Sequence, residues 1–271
     1  MNEQFTSMQA TKTTSTFDKH QMYVLQNADS NLILAQRTAE WCGHGPVLEQ
    51  DIAITNISLD LLGQARAFYQ HAADLINKDK NKESLTTEDS LAYHRDVREF
   101  RNHLLTELPN GDWAHTILRL FFFSVYQYHL YDEMQKSSDM QLASIAIKSL
   151  KEVTYHRRWS SEWVIRLGDG TEESKQRIQH ALNELWSFTG ELFVAMDYDS
   201  EMADRKIGVD LEKIKPVWNE NVNEVLEEAT LVIPETKWHQ QGGKEGKHTE
   251  HLGFILADLQ FMQRAYPGNE W

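Results

Sequence analysis

Apolar residues recur at helical spacing along most of the chain, in segments that are too long for typical strands. These segments are rich in leucine, alanine, glutamine, glutamate and arginine, which favour helices. Only five prolines and thirteen glycines interrupt the pattern, and they cluster at a few places. The sequence therefore predicts an all-α fold.

The segment 48–75 carries two apolar stripes. The first contains Leu48, Ile52, Leu59, Leu62 and Tyr69. The second contains Ile54, Ile57, Leu61, Phe68, Ala72 and Leu75. A helix with apolar residues on two faces is expected to be buried on both. Residues 29–42 predict an antiparallel partner helix, and the sequence CGHGP supplies the turn between them.

A second helical hairpin is predicted from residue 112 to about 135 and from residue 139 to about 167. The sequence KSSD joins its two helices, and Ser137, Ser138 or Asp139 can cap the second one. Two long antiparallel hairpins with buried faces describe a four-helix bundle.

The remaining segments predict further helices on that bundle, over 172–194, 211–229 and 250–266, with Thr87 as a cap after a charged connection. Residues 1–16 are rich in serine, threonine and glutamine, and we expect a flexible N-terminal tail. No short repeat or clear linker is present, so residues 17–271 are predicted to form a single ferritin-like helical domain with additional C-terminal helices.

Composition narrows the function classes. The formal net charge of −14 argues against general binding to nucleic acid or to anionic lipid, which require basic surfaces. The longest apolar run, near residue 120, is too polar to span a bilayer, and no secretory signal is expected at the start. Cys42 is the only cysteine, which excludes an intrachain disulfide and fits a reducing cytoplasm.

Bundles of this size can hold two iron or manganese ions with a glutamate from each of two helices and a Glu-x-x-His pair from each of the others. This chain contains fragments of that pattern. Asp60 and Gln64 lie one turn apart in one predicted helix, and Glu152 and His156 do so in another. Neither pair has the Glu-x-x-His spacing.

The expected alignment of residues on facing antiparallel helices also argues against a metal site. Asp60 and Gln64 should lie opposite residues 26–32, where Asp29 is the only acid. Glu152 and His156 should lie opposite residues 118–124, which contain no carboxylate. Because two cations in a dry core need more acidic ligands than this, we predict no metal and no cofactor in this chain.

A polar row is the expected replacement for such a site. Lys148, Glu152 and His156 follow one another at intervals of four residues, and the lysine could supply the positive charge of an ion. Their candidate partners on facing helices are Asp60, Gln64 and Arg119. The alternative is a di-metal oxygenase with irregular ligands, drawn from Asp29, Asp60, Glu152 and His156.

The sequence GGKEGKH suggests a phosphate-binding loop but departs from that motif, since Gln241 and His248 occupy two of its defining positions. Lys244 and Lys247 could still face a partner or the phosphates of a bound CoA, although a solvated loop is the simpler interpretation. His248 and His251 are spaced like zinc ligands, but packing or capping at a helix start is favoured, because no cysteine is nearby.

Four stretches carry a resemblance to a known family. They are AEWCGHGPVLEQDIAITNISLDLLGQARAF, LLTELPNGDWAHTILRLFF, KEVTYHRRWSSEWVIRLGDGTEES and GGKEGKHTEHLGFILADLQFMQRAYPGNEW. Together they resemble the structural subunit of bacterial phenylacetyl-CoA epoxidase, from about residue 20 to residue 271. The resemblance implies a ferritin-like bundle and a place in a multicomponent oxygenase.

In that family, a separate homologous subunit holds the di-iron centre and epoxidises the aromatic ring, with O2 and with electrons that a reductase relays from NADPH. The resemblance implies that this chain is non-catalytic and supports that subunit. Its implied partners are the di-iron catalytic subunit, the reductase and small accessory subunits, with association between copies of the chain left open. A free-standing CoA-thioester binding protein is a third hypothesis, which rests on the pathway and the lysine-bearing loop.

Overall fold

The computed structural model describes residues 17–78, 85–236 and 238–269, and within them every regular element is helical. The helices are α1 (Lys19–Ala39), α2 (Leu48–Asn77), α3 (Glu88–Tyr93), α4 (Leu104–Glu107), α5 (Trp113–Met134), α6 (Met140–Gly168), α7 (Glu172–Leu185), α8 (Asp197–Asp204), α9 (Leu211–Glu228) and α10 (Glu250–Ala265). The predicted all-α fold is confirmed. No described helix is long and apolar enough to cross a membrane. The expected tail at 1–16 lies outside the described residues.

Two helical hairpins form the centre of the molecule, as the sequence predicts. Helix α1 packs along α2, α5 packs along α6, and α2 packs against α6 to join the pairs. Asp112 and Asp139 cap α5 and α6, because their side chains accept backbone N–H groups of the first turn. The described residues thus contain the ferritin-like four-helix bundle.

Helix α1 begins ten residues before the predicted start, at a capping box between Asp18 and Gln21. Every residue from 23 to 35 is buried, and polar side chains such as Asn27, Ser30 and Asn31 are among them. A helix that is buried on all sides lacks an apolar face opposite a polar one. Its start therefore cannot be located from hydrophobic periodicity.

The additional helices cover most of the bundle. Helices α7 and α9 pack on α5 and α6, while α8 packs on α1. Helices α3, α4 and α10 cover another side and contact α1, α2 and one another. The predicted cap Thr87 starts α3 with a capping box.

Helix α2 departs from the prediction, because one of its two apolar stripes is buried, whereas the other is buried only at Tyr69. We call Ile54, Ile57, Leu61, Phe68, Ala72 and Leu75 the inner face, and all six are buried. We call Leu48, Ile52, Leu59 and Leu62 the outer face, and they are 69%, 52%, 60% and 41% exposed. The expectation that both stripes are buried is wrong for the outer face, where the described part of the chain leaves these side chains open to solvent.

Candidate functional site

A chain of hydrogen bonds crosses the bundle and connects all four long helices; we call it the central network. Its members are Asn31 of α1, Gln64 of α2, Gln127 and Tyr131 of α5, and Glu152 of α6. The Gln127 amide donates to Asn31 Oδ1 at 2.8 Å, and the Asn31 amide donates to the Tyr131 oxygen at 3.1 Å. Tyr131 donates to Gln64 Oε1 at 3.2 Å, and the Gln64 amide donates to Glu152 Oε2 at 3.0 Å.

The central network is nearly neutral. Burial raises the pKa of Tyr131, and the bonds from Asn31 and Gln127 lower it only in part, so the phenol stays protonated and donates. Glu152 supplies the only carboxylate of the network and is itself partly exposed. A two-metal centre in such a bundle uses four carboxylates and two imidazoles. These amides and this phenol therefore fit a hydrogen-bonded link between helices and do not fit a di-metal centre.

Asp29, a candidate ligand in the alternative prediction, is fully engaged elsewhere. Its carboxylate accepts a bond from the Tyr69 hydroxyl at 2.6 Å and one from the Arg101 backbone N–H at 2.8 Å. Both terminal nitrogens of the buried Arg95 also donate to it. Such a buried ion pair, with its remaining acceptor positions filled, is a structural contact.

Asp60 and His156 form a second pair, with His156 Nε2 at 3.0 Å from Asp60 Oδ2. The imidazole is fully buried, whereas the Asp60 side chain is 37% exposed. Along with Gln64 and Glu152, this pair lies between α2 and α6, where a groove of about 220 Å³ opens beside Gln64 and Glu152. No three of Asp29, Asp60, Glu152 and His156 bring ligand atoms within 4.8 Å of one another. The alternative ligand set therefore does not converge.

Two members of the predicted polar row lie differently from expectation. Lys148 lines the groove but is exposed, and no described residue forms an ion pair with it, so it does not replace a buried cation. Arg119 does not join the row either. Its guanidinium donates to the Leu108 and Pro109 carbonyls and to Asn110 Oδ1, and burial lowers its pKa to about 9. Of the three candidate partners, Gln64 and Asp60 pair with the row and Arg119 does not. The predicted role of Lys148 as a replacement cation is wrong.

The prediction that Lys244 could face a partner or a CoA phosphate is wrong. It is 2% exposed, and its ammonium group lies 2.5 Å from Asp199 and donates to the Val194 carbonyl at 2.9 Å. The Gly243 N–H beside it donates to the buried Glu191 carboxylate at 2.7 Å. A buried, paired ammonium cannot contact a partner or a CoA phosphate, so the loop is a structural link between distant segments.

Of the two predicted residues that follow Lys244 in this loop, Lys247 is exposed and the His248 imidazole is buried. Lys247 is exposed and forms an ion pair with Glu245, so its predicted role at a surface remains a prediction. The His248 imidazole is buried between Glu107, at 2.8 Å, and the Phe100 carbonyl, at 3.0 Å. This confirms that His248 packs at the start of α10.

Three members of the central network, Asn31, Gln127 and Tyr131, are not among the predicted site residues. The pattern of a di-metal site consists of acids and histidines, whereas these three side chains are neutral. A usable signal was present, since Asn31 and Gln127 interrupt apolar segments at positions where a buried amide must find a partner.

Fold and site together define the class of protein, a ferritin-like all-α bundle whose centre is closed by amide and phenol hydrogen bonds. The chain belongs to the family described as phenylacetic acid catabolic protein, which matches residues 1–271. It is similar to a subunit of the 1,2-phenylacetyl-CoA epoxidase of Escherichia coli (strain K12), with 45% identity over 249 residues. That alignment covers 92% of this chain and 98% of the relative. The predicted family resemblance is confirmed.

Proposed function

We propose that this chain is the non-catalytic structural subunit of a cytoplasmic, multicomponent phenylacetyl-CoA epoxidase. In this proposal, a separate di-iron subunit performs the 1,2-epoxidation of the ring, with O2 and with electrons from NADPH through the reductase. This chain binds and stabilises that subunit and holds no iron. The similarity to a subunit of the Escherichia coli epoxidase supports the assignment to such a complex.

The observation that carries the non-catalytic assignment is the composition of the central network. Two dications at the centre of the bundle would need acidic ligands from all four helices. At this level α1 offers Asn31, α2 offers Gln64, and α5 offers Gln127 and Tyr131. Among the members of the central network only Glu152 of α6 has a carboxylate, and the Gln64 amide already occupies one of its oxygens. The Asp60 carboxylate of α2, outside the network, is paired with His156.

The outer face of α2 supports the docking role. Four large apolar side chains lie exposed along one helix, and Ile147 and Tyr155 are exposed on the neighbouring helix α6. Large apolar side chains exposed together along a helix are a feature of protein interaction sites. Asp60, Lys148 and Glu152 lie in or beside the groove between the two helices and give the surface polar groups. We propose this combined surface as the contact for the di-iron catalytic subunit.

Metal analysis tests the proposal directly. The full chain is purified alone and co-expressed with the candidate catalytic subunit, and iron is measured in both preparations. We expect iron far below one equivalent in the chain alone, and two irons per catalytic subunit in the co-purified complex. A Glu152→Gln variant should leave the iron content of the complex unchanged.

Two equivalents of iron in the isolated chain, together with turnover of phenylacetyl-CoA, would contradict the proposal and favour a self-sufficient oxygenase. Failure of the two subunits to co-purify would contradict the docking role. The reductase and the accessory subunits are then added to each preparation. We expect epoxidation of phenylacetyl-CoA only in preparations that contain the di-iron subunit.

A further inference from the structure

Three potential metal ligands meet at the end of the bundle where α1 and α6 begin and α2 ends. His20 lies in the first turn of α1, His71 near the end of α2, and Asp139 at the cap of α6. His71 Nε2 lies 2.9 Å from Asp139 Oδ2, and His20 Nε2 lies 3.1 Å from the same oxygen. The three ligand atoms all lie within 4.8 Å of one another.

We propose that His20, His71 and Asp139 bind a divalent transition-metal ion, Zn²⁺ in the first instance. Imidazole nitrogen with one carboxylate is a ligand set for zinc and its neighbours, whereas magnesium and calcium prefer oxygen ligands alone. Tetrahedral zinc with ligands at about 2.1 Å separates them by about 3.4 Å, so small side-chain movements suffice to admit the ion. Three protein ligands leave the fourth position for water.

The carboxylate is already oriented for this role. Asp139 Oδ1 accepts the backbone N–H groups of Gln141 and Leu142, at 2.9 and 3.1 Å, which leaves Oδ2 facing the two imidazoles. The carboxylate is therefore held in place by hydrogen bonds from outside the site, as ligands are in many metal sites.

His20 supplies a second, independent observation. Its Nε2 atom is buried and makes no hydrogen bond of good geometry, although Asp139 Oδ2 lies 3.1 Å away. A buried polar atom whose only contact is poorly aligned is unfavourable, and coordination to an ion would satisfy it. A groove of about 600 Å³, lined in part by Lys19, Leu75 and Glu201, opens beside His20 and gives solvent access to that side of the site.

A second cluster offers a matched control. His115, His180 and Glu184 also bring three ligand atoms within 4.8 Å, but His180 and Glu184 are 66% and 57% exposed. Solvent competes with a metal ion at such a site, and no cap fixes its carboxylate as Asp139 is fixed.

The experiment uses the full-length chain without a histidine tag, after treatment with a chelator. Zinc sulfate is titrated by calorimetry, and Co²⁺ is added separately to read its visible absorption. We expect one zinc per chain and a raised Tm in the wild type. His20→Gln, His71→Gln and Asp139→Asn should each weaken binding at least about tenfold, whereas His180→Gln should leave it unchanged. Asparagine also caps helices, so Asp139→Asn keeps the start of α6.

Unchanged zinc affinity in both His20→Gln and His71→Gln would overturn the proposal, as would loss of the bound ion in His180→Gln alone. Circular dichroism of each metal-free variant separates loss of the site from loss of the fold. The result is independent of the proposed function, because that function is tested by iron and by co-purification.

Discussion

The inner and outer faces of α2 have the same helical periodicity and the same kinds of side chain, yet one is buried and the other is open to solvent. Leu61 and Leu62 are neighbours in sequence and fall on opposite sides of this division. Periodicity alone indicates that a face is apolar and does not indicate what covers it. The difference teaches that an apolar stripe at helical spacing is not by itself evidence of burial within the chain.

The largest expected effect is the contrast between alanine replacements of these two leucines. Leu61→Ala should lower the free energy of unfolding by about 2–5 kcal/mol, because it leaves a cavity in a packed core. Leu62→Ala should change it by less than about 0.5 kcal/mol, since the side chain is exposed. Urea denaturation of the isolated chain measures both. Equal losses in the two variants would remove the distinction between the faces.

A charge on the outer face should affect the assembly without affecting the fold. Leu59→Glu should weaken binding to the di-iron subunit by about 2 kcal/mol, roughly thirtyfold, because it places an unpaired carboxylate in an apolar contact. Size-exclusion chromatography of the co-expressed subunits measures this loss. Val232→Glu is the control, as Val232 is exposed but lies outside α2 and α6. Normal co-elution of the Leu59→Glu variant would place the contact on another surface.

The central network extends from the interior to the groove, so its two ends should respond differently. Tyr131→Phe should cost about 1–2 kcal/mol of stability, because it leaves the Asn31 amide without its hydroxyl acceptor and Gln64 Oε1 without its donor in the buried interior. Glu152→Gln should cost less than about 0.5 kcal/mol, since an amide at the partly exposed end can still accept from Gln64. Thermal unfolding of both variants tests this order. A larger loss in Glu152→Gln would mean that the charge at the groove stabilises the network.

Much of the fold could be predicted because local signals and tertiary packing agree. The hairpin at KSSD combines a long apolar pattern with a capping aspartate, and the structure places α6 one residue after Asp139. The pairing of Gln64 with Glu152 and of Asp60 with His156 likewise follows from one-turn spacing on two adjacent helices.

The errors share a physical origin, which is that burial depends on distant segments. Lys244 lies in a glycine-rich, charged loop of the kind that is usually solvated, but Asp199 and Val194 approach from another part of the chain and bury it. Lys148 shows the reverse, because the groove beside it lacks a covering element among the described residues. Neither outcome can be read from the residues around each lysine.

The burial of α1 on all sides bears on how the molecule folds. Its polar groups find partners far along the chain, since Asp29 binds Arg95, Ser30 contacts His103, and Asn31 binds Tyr131. An isolated hairpin of α1 and α2 would leave these groups without most of their partners, which is costly in a desolvated environment. The first hairpin therefore gains full stability only once the middle third of the chain has docked, and we expect folding to be cooperative across long sequence separations.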